Sequence, residues 1–62
     1  MTKTQAIEAA KKAVRETEET QVVLRLKGGR VPPVYKAKPV TEVWSWAWKE
    51  ELYIGTGNVD SY

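Results

Sequence analysis

The sequence predicts an α+β domain, one N-terminal helix packed on a small antiparallel β-sheet of three to five strands. Two observations carry that expectation. Ile7, Ala10 and Val14 recur at helical spacing, and from Val22 onward apolar residues recur at every second position. Gly28-Gly29, Pro32-Pro33 and Pro39 then punctuate the second half into short extended runs. With 62 residues, the chain is read as a single domain, 1–62, with a helix at about 3–18 and a β-rich region at about 21–59. A chain this short buries only about 60 % of its unfolded surface, so self-association into a homo-oligomer is a natural way to gain core.

The helix opens at Thr2-Lys3-Thr4-Gln5, which has the spacing of a capping box. The Thr2 hydroxyl can accept from the Gln5 amide while the Gln5 side chain accepts from the Thr2 amide. Ala6 and Ala13 flank the Ile7, Ala10 and Val14 stripe, which makes the apolar face narrow and shallow. Glu8 with Lys12 and Lys12 with Glu16 are four-residue charge pairs. No glycine marks the end near Thr17 to Glu19, and the acids there oppose the helix macrodipole.

From Gln21 the period becomes two. Val22, Leu24 and Leu26 are expected inward, with Val23, Arg25 and Lys27 outward. Gly28-Gly29 can both take positive φ, which predicts a tight hairpin with Val31 resuming the apolar pattern. Pro32, Pro33 and Pro39 cannot donate to a ladder, so residues 31–40 are expected as an edge strand or an irregular extended segment. Residues 41–54 admit two readings. Val43-Trp44-Ser45-Trp46-Ala47-Trp48 alternates large with small, as a strand with three indoles on one face would. Thr41, Trp44, Ala47, Trp48 and Leu52 also fit a capped helix, though Val, Trp, Tyr and Ile are mediocre helix formers. On the strand reading, Lys49-Glu50-Glu51 turns the chain into a last strand, Leu52 to Gly55.

Composition excludes several functions. There is no Cys and no His, so disulfides, thiolate metal sites and imidazole bases are absent. Gly28-Gly29 lacks the Lys-Ser/Thr of a phosphate loop, and Gly55-Thr56-Gly57 lacks the third glycine of a dinucleotide site. Glu50-Glu51 in a solvated turn has no apolar wall to raise a pKa. A non-enzymatic protein without a cofactor is expected. No apolar run approaches a membrane span of about 20 residues, so a soluble, cytoplasmic protein with no membrane partner is expected.

Charge is informative by position. Residues 1–20, 21–40 and 41–62 carry 0, +5 and −3, within a net +2. The basic middle holds Arg25, Lys27, Arg30, Lys36 and Lys38, with Tyr35 beside them as a stacking residue. Cations interleaved with an aromatic fit phosphates and a base of single-stranded nucleic acid. The same residues also fit a solvated hairpin or an acidic protein partner. Trp44, Trp46 and Trp48 admit a core, a stacking platform or an interface. Core is favoured, because a chain with three Leu, two Ile and no Phe has little else to bury. The leading function is a small module binding single-stranded RNA. The alternative is a protein-interaction or assembly module, an inhibitor or accessory subunit using an aromatic face or sheet edge.

Val22, Leu24, Leu26, Lys27 and Gly29, followed by Ile54, Gly57 and Val59, resemble the strand-and-turn pattern of the Sm-like RNA-binding proteins. The likeness is to their short bacterial type, the Hfq RNA chaperones, whose barrel follows an N-terminal helix. The resemblance implies a sheet curled toward an Sm- or SH3-like barrel, and a ring oligomer that binds U-rich or A-rich single-stranded RNA. It also implies that the loop around Asn58 faces the pore. Pro32-Pro33 falls where that family runs a long bent strand. The Lys-His of its second motif reads Thr56-Gly57 in this chain, so its nucleotide contacts are not carried over.

Overall fold

The computed structural model describes residues 1–43 and 46–55. In chain order it has α1 (Lys3–Thr17), β1 (Gln21–Leu26), β2 (Tyr35–Pro39), a 3-10 turn (Val40–Glu42) and β3 (Trp48–Ile54). The strands form one antiparallel sheet in the order β2-β1-β3, with α1 packed on one face. This is the α+β class expected from the sequence. The three described strands make an open sheet and do not close into a barrel. No helix among the described residues is long and apolar enough to cross a membrane.

Local chemistry sets the bounds of α1. The Gln5 amide donates to the Thr2 hydroxyl at 3.2 Å and the Thr2 amide donates to Gln5 Oε1 at 3.0 Å, completing the capping box. At the other end Glu18 takes the left-handed conformation, φ 59°, usually left to glycine. Its amide donates to the Val14 carbonyl at 2.8 Å, which lets the chain turn directly into β1. Ala6, Ala10 and Val14 are buried against Val23 and Ile54, with Ile7, Tyr35, Ala37 and Leu52 around them. Alanine on the helix lets the backbone come close to the sheet, and Val and Ile supply the volume. Lys11 is also buried; its stem lies along the packed side of α1 and its ammonium is 3.8 Å from Glu8.

The register divides the sheet into two faces, because directly opposed residues project to the same side. Val23 opposite Ala37 and Leu52, and Gln21 opposite Ile54, lie under α1. Val22 opposite Lys38 and Tyr53, Leu24 opposite Lys36 and Glu50, and Leu26 opposite Trp48 lie on the other face. The expectation that Val23 points outward is therefore corrected. Val22, Val23 and Leu24 are all buried, because β1 is the central strand and both of its sides are covered.

The hairpin between β1 and β2 is longer than expected. Gly28 and Gly29 do take positive φ, 102° and 64°, but the connection runs over residues 27–34. Val31 is 94 % exposed and does not resume the apolar pattern. Pro32 and Pro33 have no amide to offer, so pairing restarts only where the Leu26 amide donates to the Val34 carbonyl at 2.9 Å. The Val31–Pro32 bond is cis.

β2 is an edge strand, as the prolines predict, and its outer side is blunted. The bonds from Leu26 to Val34 and from Val40 to Thr20, each 2.9 Å, set the alternation and turn the backbone groups of Tyr35, Ala37 and Pro39 away from β1. The Tyr35 amide donates to the Met1 carbonyl at 3.0 Å and Pro39 has none, leaving Ala37 with the one outward donor.

The reading of residues 41–54 needs the largest correction. Lys49, Glu50 and Glu51 are not a turn; they lie inside β3, one strand paired to β1 along its length. A shift of register between Val23 and Leu24 leaves Glu51 as the extra residue of a bulge. The indoles do not form a common core stripe. Trp46 is 84 % exposed and Trp48 is half-buried on the face opposite α1. Trp44, Gly57, Asn58 and Val59 lie outside the described residues, as does the rest of the expected β-region beyond residue 55.

Candidate nucleic-acid interface

The fold separates the six residues singled out in the sequence. Arg25 lies on the α1 side of the sheet, across from Lys49 on β3. Two like charges directly opposed are unfavourable, and the bulged Glu51 supplies the counter-charge at 2.8 Å from Arg25 Nε. Arg25 is thus committed to the sheet. Tyr35 also lies on the α1 side, packed against the core, and is not beside the lysines as a stacking residue. Lys36 and Lys38, one residue on either side of Ala37, project from the opposite face. Lys27 and Arg30 sit in the exposed 27–34 connection.

Four cations therefore remain available: Lys27, Arg30, Lys36 and Lys38 have no ion-pair partner among the described residues. The structure joins two of them, Lys36 and Lys38, to residues that the charge pattern could not find. Leu24, Lys36, Lys38, Glu42 and Trp48 line a cleft of about 160 Å³ on the helix-free face. Leu24 comes from β1, the lysines from β2 and Trp48 from the start of β3. The 3-10 turn that carries Glu42 is anchored by the Val40 amide on the Thr20 carbonyl at 2.9 Å. The Lys27 amide donates to the Ala47 carbonyl at 3.2 Å, so the basic connection leaves the sheet beside Trp46 and Trp48. Cations and indoles meet at this end of the sheet.

No family model, curated protein or solved structure matches the chain. The chemistry of the face must carry the functional argument.

That chemistry is one of stacking and anion contact. An indole wall can stack on a planar ring, and lysine ammonium groups donate to phosphate oxygens. Glu42 is acceptor-only when ionised, which gives the cleft one hydrogen-bonding preference of opposite sense. Farther along β3, Tyr53 donates its hydroxyl proton to the Glu50 carboxylate. That bond, then slight desolvation and the Glu50 charge, raises the Tyr53 pKa above its ordinary value. A raised pKa means the bond's contribution is complete below the ordinary phenol range and is lost as pH rises through the folded value. In a phenolate absorbance titration Tyr53 should ionise above the ordinary range, and Glu50→Gln should bring it back toward that range. An unchanged titration in Glu50→Gln would exclude the bond as the cause.

Trp48 could have been found from the sequence, since the indoles were the loudest apolar feature. Glu42 could not, because nothing local places an isolated acid three residues past a proline over a sheet.

Proposed function

We propose that the chain is a small non-enzymatic module that binds single-stranded nucleic acid, RNA in the first instance, across the helix-free face of its sheet. The observation that carries the reading is the cleft that Trp48 lines together with Lys36 and Lys38, which have no ion-pair partner among the described residues, with Lys27 and Arg30 on the adjoining connection. Indoles supply sequence-tolerant stacking of about 1–3 kcal/mol per base, and cations supply the phosphate term. The interface differs from the six residues picked from the charge pattern: Trp48 takes the stacking role given to Tyr35, and Arg25 leaves the set. Self-association belongs to the same proposal. It is supported by the outer edge of β3, which pairs with no other strand among the described residues.

A second reading is favoured by the exposure of Trp46, 84 %, and by that β3 edge. Exposed aromatics rimmed by charges of both signs suit a protein partner. One titration separates the two. Fluorescence anisotropy of a labelled single-stranded RNA, at low and moderate salt, should show micromolar or tighter binding that weakens as salt rises. Absence of binding at low salt by folded protein would overturn the nucleic-acid reading and leave the protein-partner reading in its place.

A further inference from the structure

We propose that the cleft selects a guanine nucleotide: Trp48 stacks on the base, Glu42 reads its Watson–Crick edge, and Lys36 and Lys38 hold the flanking phosphates. The inference rests on the nucleic-acid reading and deepens it by naming the base.

Three properties of the cleft converge on this ligand. Its volume, about 160 Å³, is below the roughly 300–1,000 Å³ of pockets that enclose drug-sized ligands. It therefore suits one ring system with the sugar and phosphates left outside. Its accessible apolar wall is the half-buried Trp48, whose indole can hold a flat ring by stacking; Leu24 lies beneath, itself almost wholly covered. Its charged side chains are two donors and one acceptor: Lys36 and Lys38 only donate, and a Glu42 carboxylate only accepts.

The acceptor discriminates between bases. A carboxylate offers two oxygens side by side and is best matched by two adjacent N–H donors, in a bidentate pair. Guanine alone presents such a pair on its Watson–Crick edge, from its ring N1–H and its exocyclic amino group. Adenine and cytosine each set an exocyclic donor beside a ring acceptor, which would face the carboxylate with like polarity. Uracil sets one N–H between two carbonyl acceptors. Glu42 is exposed in the unliganded chain, so its carboxylate is hydrated until a base edge replaces the water. The lysine ammonium groups on the neighbouring strand offset the repulsion between Glu42 and the backbone phosphates.

The test uses four labelled strands: uracil throughout, or uracil with one central guanine, adenine or cytosine. The guanine strand should bind about 5- to 150-fold tighter than the other three, the range expected of one bidentate base contact. In Glu42→Gln, whose amide carries a donor and an acceptor, that preference should fall to near unity while binding of the uracil strand persists. Because Glu42 is exposed, this variant should keep the circular dichroism spectrum of the parent. Equal affinities for all four strands would overturn the guanine inference and leave the nucleic-acid reading standing. Failure of every strand to bind would overturn both. A guanine preference that survives Glu42→Gln would remove Glu42 from the account. Displacement of the guanine strand by guanosine monophosphate at comparable concentration would overturn the assignment to a strand in favour of the free nucleotide.

Discussion

Ile54→Ala is expected to leave the chain largely unfolded at 25 °C. Ile54 is 0 % exposed and is among the largest fully buried side chains; it sits opposite Gln21 at the end of β3, against Ala6, Ala10, Val14 and Val23. Truncating a buried Ile to Ala costs about 2–5 kcal/mol through lost transfer energy and the cavity left behind. A domain of this size rarely has more than about 3–5 kcal/mol in total. The helix contributes alanines at this contact, which cannot extend to refill the space. Ile54→Val, by contrast, should cost only about 0.5–1.5 kcal/mol and stay folded. Urea denaturation followed by circular dichroism checks both. A loss below about 1 kcal/mol in Ile54→Ala, too small for a core truncation, would show that the helix–sheet contact is not the core of the domain.

The parts of the fold legible in the sequence are those set by local chemistry. Thr2 and Gln5 announce the start of α1 because their side chains bond the backbone within one turn. Gly28 and Gly29 announce positive φ, and Pro39 announces an edge, because each residue constrains its own backbone. What escaped the sequence depends on which surface meets which. Alternation shows that Val23 and Leu24 point to opposite faces, but not that a helix covers one and side chains of β2 and β3 crowd the other. Lys49-Glu50-Glu51 reads as a turn by polarity, yet it extends β3 because β1 lacks another partner on that side and the Glu51 bulge absorbs the mismatch. The same bulge hides the fate of Arg25. Its partner lies 26 positions away, and the ion pair follows from the register alone. For the candidate site, the lysine pair at positions 36 and 38 was legible from spacing, since residues two apart share a strand face. Its union with Trp48 and Glu42 was not, because four separate elements supply the cleft.

The split of the basic cluster gives the second large expected effect. The double variant Lys36→Gln/Lys38→Gln should lose most of its affinity for single-stranded RNA at low salt and flatten the dependence of log affinity on log salt. Each single-strand phosphate contact contributes a slope of about −0.7, so two lost contacts should flatten it by about 1.4. Glutamine keeps much of the aliphatic stem that lies beside Val22 and Leu24, so the change removes charge more than packing. Arg25→Gln is the matched control. It removes one positive charge from the same basic third of the chain, but Arg25 is held by Glu51 on the α1 side, away from the cleft. Its salt slope should equal that of the parent, whereas a model in which net charge alone attracts the RNA predicts flattening by every such variant. Anisotropy titrations of the two variants at matched salt concentrations decide between these. Equal flattening by Arg25→Gln and by the lysine pair, per charge removed, would mean that the face has no special role. Flattening confined to Lys36 and Lys38 would tie the phosphate contacts to the strand that lines the cleft with Trp48.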